Sequence, residues 1–227
     1  MWLLSALCYL PMYLEQQGLA IPHGILNVKY LFVAMPLFIS LLMLLSEKRS
    51  IKKWLKNLFS KRIKPGTWII CILTALCCIF CTYFFGEETW DISSLVPNII
   101  YLLFMAALEE LAWRGCLLHD MLKGKSKFTA LLCVSLGWAV WHIPMWTVRN
   151  SISAPELPYW LIYTVLVGLI LGIHMIKTEN AAVPIVVHTV FNTALLTPVK
   201  ISILAALFAL ICTAFHCHRT AAQTAQP

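Results

Sequence analysis

Apolar runs about 20 residues long recur along the chain, and a helix of that length spans the roughly 30 Å hydrocarbon core of a bilayer. Such runs leave few folds open. In lipid every backbone N–H and C=O must be satisfied within the protein, so a chain divided this way folds as a helical bundle. Composition agrees: of 227 residues, 60% are hydrophobic and 12% charged, and the mean hydropathy is +0.81. The expected fold is all-α, a polytopic membrane bundle of about eight transmembrane helices. It is read as a single domain over residues 1–227, with no soluble appendage.

The first segment, near Trp2–Leu19, is the weakest, because Pro11, Glu15, Gln16 and Gln17 interrupt it. It lacks the basic start and small-residue cleavage site of a signal peptide. The others run near Val28–Leu45, Thr67–Phe85, Asn98–Leu118, Phe128–Trp146, Tyr159–Ile176, Ala181–Leu196 and Val199–His216, before a short polar tail. The sixth and eighth are almost wholly apolar and read as scaffold.

The formal charge of +7 is concentrated. Lys48, Arg49, Lys52, Lys53, Lys56, Lys61, Arg62 and Lys64 fall in one loop, over 47–66, and Lys123, Lys125 and Lys127 in another. By the positive-inside rule both are cytoplasmic, and the acidic loop Gly86–Asp91 lies on the far side. Both termini are then inside, and 13 of the 17 Lys and Arg residues fall in cytoplasmic segments. Charge distributed this way signals orientation and contact with membrane lipids, not nucleic-acid binding. Within the first loop, Ile51, Leu55, Leu58 and Phe59 share one helical face, with lysines elsewhere, as in an amphipathic helix lying on the membrane surface.

Ionisable groups inside such runs are expensive, at about 2.5–3.5 kcal/mol each at a helix centre, and mark functional sites. The fourth segment carries Glu109, Glu110 and Arg114, the fifth His142, and the seventh His188 and Asn192. Glu110 and Arg114 are four apart, about 40° around a helix, and so can pair. Glu109 points roughly 100° away, without that cation, which makes it the candidate general base. Trp138 and His142 share a face of the fifth helix. An imidazole beside Glu109 would help hold and deprotonate a water, while His188 and Asn192 offer donors to an oxyanion. Counting along ideal helices puts His142 nearer the outer surface and His188 nearer the inner one. Gly137 and Gly172 would allow neighbouring helices to approach closely.

Glu109-Glu110-Leu111-Ala112-Trp113-Arg114 matches EExxxR, Trp138-Ala139-Val140-Trp141-His142 matches FxxxH with Trp in place of Phe, and His188-Thr189-Val190-Phe191-Asn192 matches HxxxN. In that order they resemble the motifs of the CPBP (CAAX protease and bacteriocin-processing, or Abi) family of intramembrane proteases, whose eukaryotic members are type II CAAX prenyl endopeptidases. The motif-bearing core covers about 98–196. The resemblance implies an endopeptidase in which Glu109 and His142 activate water and His188 and Asn192 stabilise the oxyanion. Arg114 would position the glutamate pair, and Glu110 and Trp138 would orient the site. The substrate would be a membrane-associated peptide or lipidated protein. The location read for it is multi-pass in a bacterial plasma membrane, on short loops and no ER-retrieval signal.

Other readings stay open at the level of sequence. Glutamate with two histidines can ligate zinc with one open position, but no HExxH is present, and a metal-free site without cofactor is expected. A catalytically silent member would act as a bacteriocin self-immunity or regulatory protein by binding a peptide or membrane partner. A proton-coupled transporter also uses intramembrane Glu and His, but the chain lacks duplicated halves. The nine cysteines mostly fall in apolar helices and read as small hydrophobes. Oligomeric state is not encoded in these patterns.

Overall fold

The computed structural model describes residues 2–85, 92–193 and 199–224, and among these every regular element is helical. The elements are α1 (Trp2–Leu7), α2 (Leu10–Gln16), α3 (His23–Leu26), α4 (Leu31–Ser46), α5 (Ile51–Leu58), α6 (Pro65–Phe85), α7 (Ile92–Ala112), α8 (His119–Met121), α9 (Lys127–Trp141), α10 (Leu157–Thr178), α11 (Ala182–Thr193) and α12 (Val199–Thr224). The chain is an all-α membrane bundle. His23–Ser46, Pro65–Phe85, Lys127–Arg149 and Leu157–Thr178 are each long and apolar enough to cross a membrane, and Ala182–Thr193 and Val199–Ala214 are shorter apolar helices. The acidic loop at 86–91 and the end of the seventh segment beyond Thr193 lie outside the described residues.

α10 is the hub, packing against α9, α11 and α12, while α7 packs against α4 and α11. Small residues permit this closeness. A Cβ on Gly168 would stand 2.9 Å from Ser135 Cβ, and one on Gly172 would collide with the Leu131 side chain. The outer faces of α6 and α12 present Ile69, Ile72, Leu76, Phe80, Leu204 and Ile211, all exposed. In water such a surface is a liability; against lipid it is the expected boundary.

The first segment does not form one helix. It breaks between α1 and α2, and its break residues Cys8 and Tyr9 are buried. Tyr9 lies against Phe32 of α4, which stacks on Trp141 of α9 with ring centroids 4.1 Å apart.

Two wide π-helical turns interrupt the bundle, at Trp113–Leu118 after α7 and at Met145–Arg149 after α9. A π turn frees backbone carbonyls that need other partners. At the first, the Trp54 indole Nε1 donates to Gly115 O at 3.1 Å, so α5 is docked on this turn. The docking divides the apolar residues of α5 between the bundle and its outer face. Trp54 and Leu58 are buried, whereas Leu55 and Phe59 are 41% and 43% exposed. Sequence periodicity groups Leu58 with Leu55 and Phe59 because it cannot distinguish protein from lipid as the apolar neighbour.

Candidate active site

α7 ends in the Glu109–Glu110 pair and runs into the π turn that begins at Trp113, so Arg114 follows Glu110 by one turn. All three are buried, Glu110 completely. Arg114 Nη1 donates to Glu110 Oε1 at 2.8 Å, the pair expected from their spacing. The same guanidinium reaches Gly168 O on α10 through Nη2 at 3.4 Å and lies 4.4 Å from the centre of the Trp138 ring. One side chain therefore ties α7, α9 and α10 together.

His142 follows the last residue of α9, where Pro144 two residues on offers no N–H to the ladder and the helical run goes on as the π turn at Met145–Arg149. The His142 N–H turns back to Ala139 O, which releases Trp138 O from the regular ladder. That carbonyl pairs instead with His142 Nδ1 at 2.8 Å. A carbonyl only accepts, so Nδ1 carries the hydrogen, and in the neutral ring Nε2 is the lone-pair nitrogen. Nε2 stands 3.8 Å from Glu109 Oε2. Two acceptors at that separation do not bond directly, but one water donating a proton to each can bridge them.

Glu109 Oε2 also accepts from Trp138 Nε1 at 2.8 Å. Phe at this position, as in FxxxH, has no such hydrogen. The replacement therefore alters more than the shape of the pocket: it adds a donor to the carboxylate. Trp138 further packs edge-on to both imidazoles, with centroid distances of 4.8 Å to His142 and 5.2 Å to His188.

His188 on α11 faces the second carboxylate, its Nδ1 2.9 Å from Glu110 Oε1. Because that oxygen already accepts from Arg114, the imidazole is the donor. Glu110 Oε2, by contrast, has no partner among the described residues. Asn192, one turn beyond His188, is half-buried. The histidines thus meet around one pair of glutamates, His142 at Glu109 and His188 at Glu110. Counting along ideal helices separated them in depth, but π turns and a short α11 do not follow that count.

Two supporting residues escape the motif pattern. Asn180, in the α10–α11 connection, donates from Nδ2 to Lys61 O at 2.7 Å and accepts from Ala182 N at 2.9 Å. Ala181 N donates to Leu58 O at 2.8 Å. The start of the helix that bears His188 is therefore fastened to the end of α5, as Trp54 fastens α5 to the turn beside Arg114. His174, which sequence position puts at a helix end without a role, is buried and 3.5 Å from Thr213 Oγ1 on α12.

Among the described residues, no three His, Cys, Asp or Glu side chains are grouped so as to hold a metal ion. His142 Nδ1 faces Trp138 O and His188 Nδ1 faces Glu110 Oε1, so each ring keeps Nε2 for other partners.

Residues 90–194 match the family model described as Rce1-like, type II CAAX prenyl endopeptidase Rce1-like. A stretch of 59 residues, 26% of the chain, is 36% identical to CAAX prenyl protease 2 of Methanococcus maripaludis. That stretch spans 22% of the relative's length.

Proposed function

From the premise that residues 90–194 are Rce1-like, we propose that the chain is an intramembrane endopeptidase acting on membrane-associated or lipid-attached peptides, prenylated C-termini among them. One observation carries the reading: the 3.8 Å gap between Glu109 Oε2 and the lone-pair nitrogen of His142, inside a buried aromatic wall. A water in that gap gives one proton to Glu109 as its oxygen bonds the scissile carbonyl carbon. The C–N bond then breaks, and the proton on Glu109 passes to the departing amine. The water's second proton stays on the new carboxyl group until it passes to the released amine, so water and peptide yield a carboxylate and an ammonium with nothing left over.

The remaining residues divide by reach. His188 and Asn192 are assigned to the carbonyl oxygen as it becomes an oxyanion. With its Nδ1–H committed to Glu110, His188 donates from Nε2 only when that nitrogen is protonated too. Glu110 then offsets the charge across the ring. Glu110, Arg114 and Trp138 hold the geometry. The chemistry is read as metal-free, with Glu109 acting on water directly. Short connections between apolar helices support a multi-pass location, read as a bacterial plasma membrane.

The test is a survey of peptide termini in membranes from cells carrying wild-type chain or Glu109→Gln at matched expression. New termini confined to wild type are expected and would name the substrate class. Identical termini with any cellular effect retained in the variant would sink the hydrolytic reading and leave a binding or immunity protein.

A further inference from the structure

Behind Arg114, on the side away from the histidines, the basic end of the bundle opens into a cavity of about 1270 Å³ that includes none of Glu109, His142, His188 or Asn192. Six surface cations line it: Arg49, Lys53, Lys61, Lys123, Lys125 and Lys127, against one lining carboxylate, Glu179. Glu179 is 3.5 Å from Lys61, and Asp120 pairs with both Arg49 and Lys123. Lys53, Lys125 and Lys127 have no carboxylate partner among the described residues.

One further feature favours an anion. Ser50 and Ser126, which cap the N-termini of α5 and α9, both line the cavity, so two sets of helix N–H groups converge on it.

The cavity is too large and too greasy for a free inorganic anion alone. Its interior includes Trp54, Leu58, Leu118 and Leu122. Its wall is the surface helix α5, whose Leu55 and Phe59 are exposed as if to acyl chains. We propose that this cavity binds the headgroup of an anionic phospholipid drawn from the leaflet at the basic end, with the phosphate over Lys53, Lys125 and Lys127 and the glycerol against the apolar residues. The lipid would brace α5 on the π turn next to Arg114. The binding does not depend on the chain being a protease.

The test is native mass spectrometry of the full-length protein from a neutral detergent, with phosphatidylglycerol and phosphatidylcholine of identical acyl chains. Phosphatidylglycerol is expected to bind at least about tenfold more tightly, since each Lys near an anionic surface contributes measurably. Lys53→Gln/Lys125→Gln/Lys127→Gln should abolish that preference. Lys48→Gln/Lys52→Gln/Lys56→Gln, with the same charge removed outside the cavity, should retain it. Equal loss in both triple variants, or no preference in wild type, would overturn the proposal as diffuse charge attraction. Displacement of the lipid by millimolar inorganic phosphate would overturn it in favour of a free-phosphate site. The three single Lys→Gln variants, each expected to weaken the preference by part of the total, carry the same test if the triple variant fails to fold.

Discussion

Glu109 Oε2 accepts a hydrogen bond from Trp138 Nε1 at 2.8 Å, and it is the same oxygen that lies 3.8 Å from His142 Nε2. The indole therefore fixes which carboxylate oxygen confronts the imidazole. Trp138→Phe keeps an aromatic ring between the histidines and removes the donor along with part of the indole's bulk. A hydrogen bond to a charged group is worth about 1.5–3 kcal/mol, so kcat for peptide cleavage should fall by about 10- to 100-fold. KM should change little. A variant with wild-type kcat would mean that packing alone holds Glu109.

Arg114 illustrates the difference between holding a site and performing its chemistry. Arg114→Met leaves Glu110 buried with His188 as its only partner, and such a loss costs about 3–5 kcal/mol. The variant should melt well below wild type when followed by size exclusion after heating in detergent. Adding Glu110→Gln removes the stranded charge and should restore part of the melting temperature without restoring cleavage. If the double variant is no more stable than Arg114→Met, the pair is not the unit its geometry indicates.

The α9–α10 contact offers a graded test. Alanine at 168 would bring its Cβ to 2.9 Å from Ser135 Cβ and 3.1 Å from Ser135 Cα, and backbone cannot move aside cheaply. Overpacking of this kind costs about 1–3 kcal/mol. It also shifts Gly168 O, an acceptor for Arg114. Gly168→Ala should therefore lower both stability and cleavage. Gly172→Ala meets only the far end of the Leu131 side chain, which can rotate, and should be milder in both respects. Equal effects would indicate that helix approach at Gly168 is not limiting.

Much of this was legible from sequence because hydrophobicity and helical spacing are local. Apolar run length gave the all-α bundle, and the four-residue separation of Glu110 and Arg114 gave their ion pair. What was not legible depends on neighbours distant in sequence. The indole hydrogen bond from Trp138 to Glu109 crosses 29 positions, and no periodicity reveals it. Leu58 is buried against the bundle while Leu55 and Phe59, which periodicity places on the same face, are exposed, because protein and lipid reward the same apolar residues. The meeting of His142 and His188 around the two glutamates was obscured by π turns, which break the constant rise that depth counting assumes.

The least obvious dependence is that of the motif helices on the basic loop. Asn180 donates to Lys61 O and caps Ala182 N, so one amide couples the end of α5 to the start of α11. Asn180→Ala removes both bonds, at about 1 kcal/mol each. The loop at 60–64, with Lys61, Arg62 and Lys64, should then open more often, because opening requires fewer bonds to break. Limited trypsin digestion of the protein in detergent should cut there several-fold faster than in wild type, while cleavage near Lys123–Lys127 stays unchanged. Unchanged rates at both places would show that Ala181 N–H to Leu58 O suffices to hold α5, and that Asn180 adds no restraint.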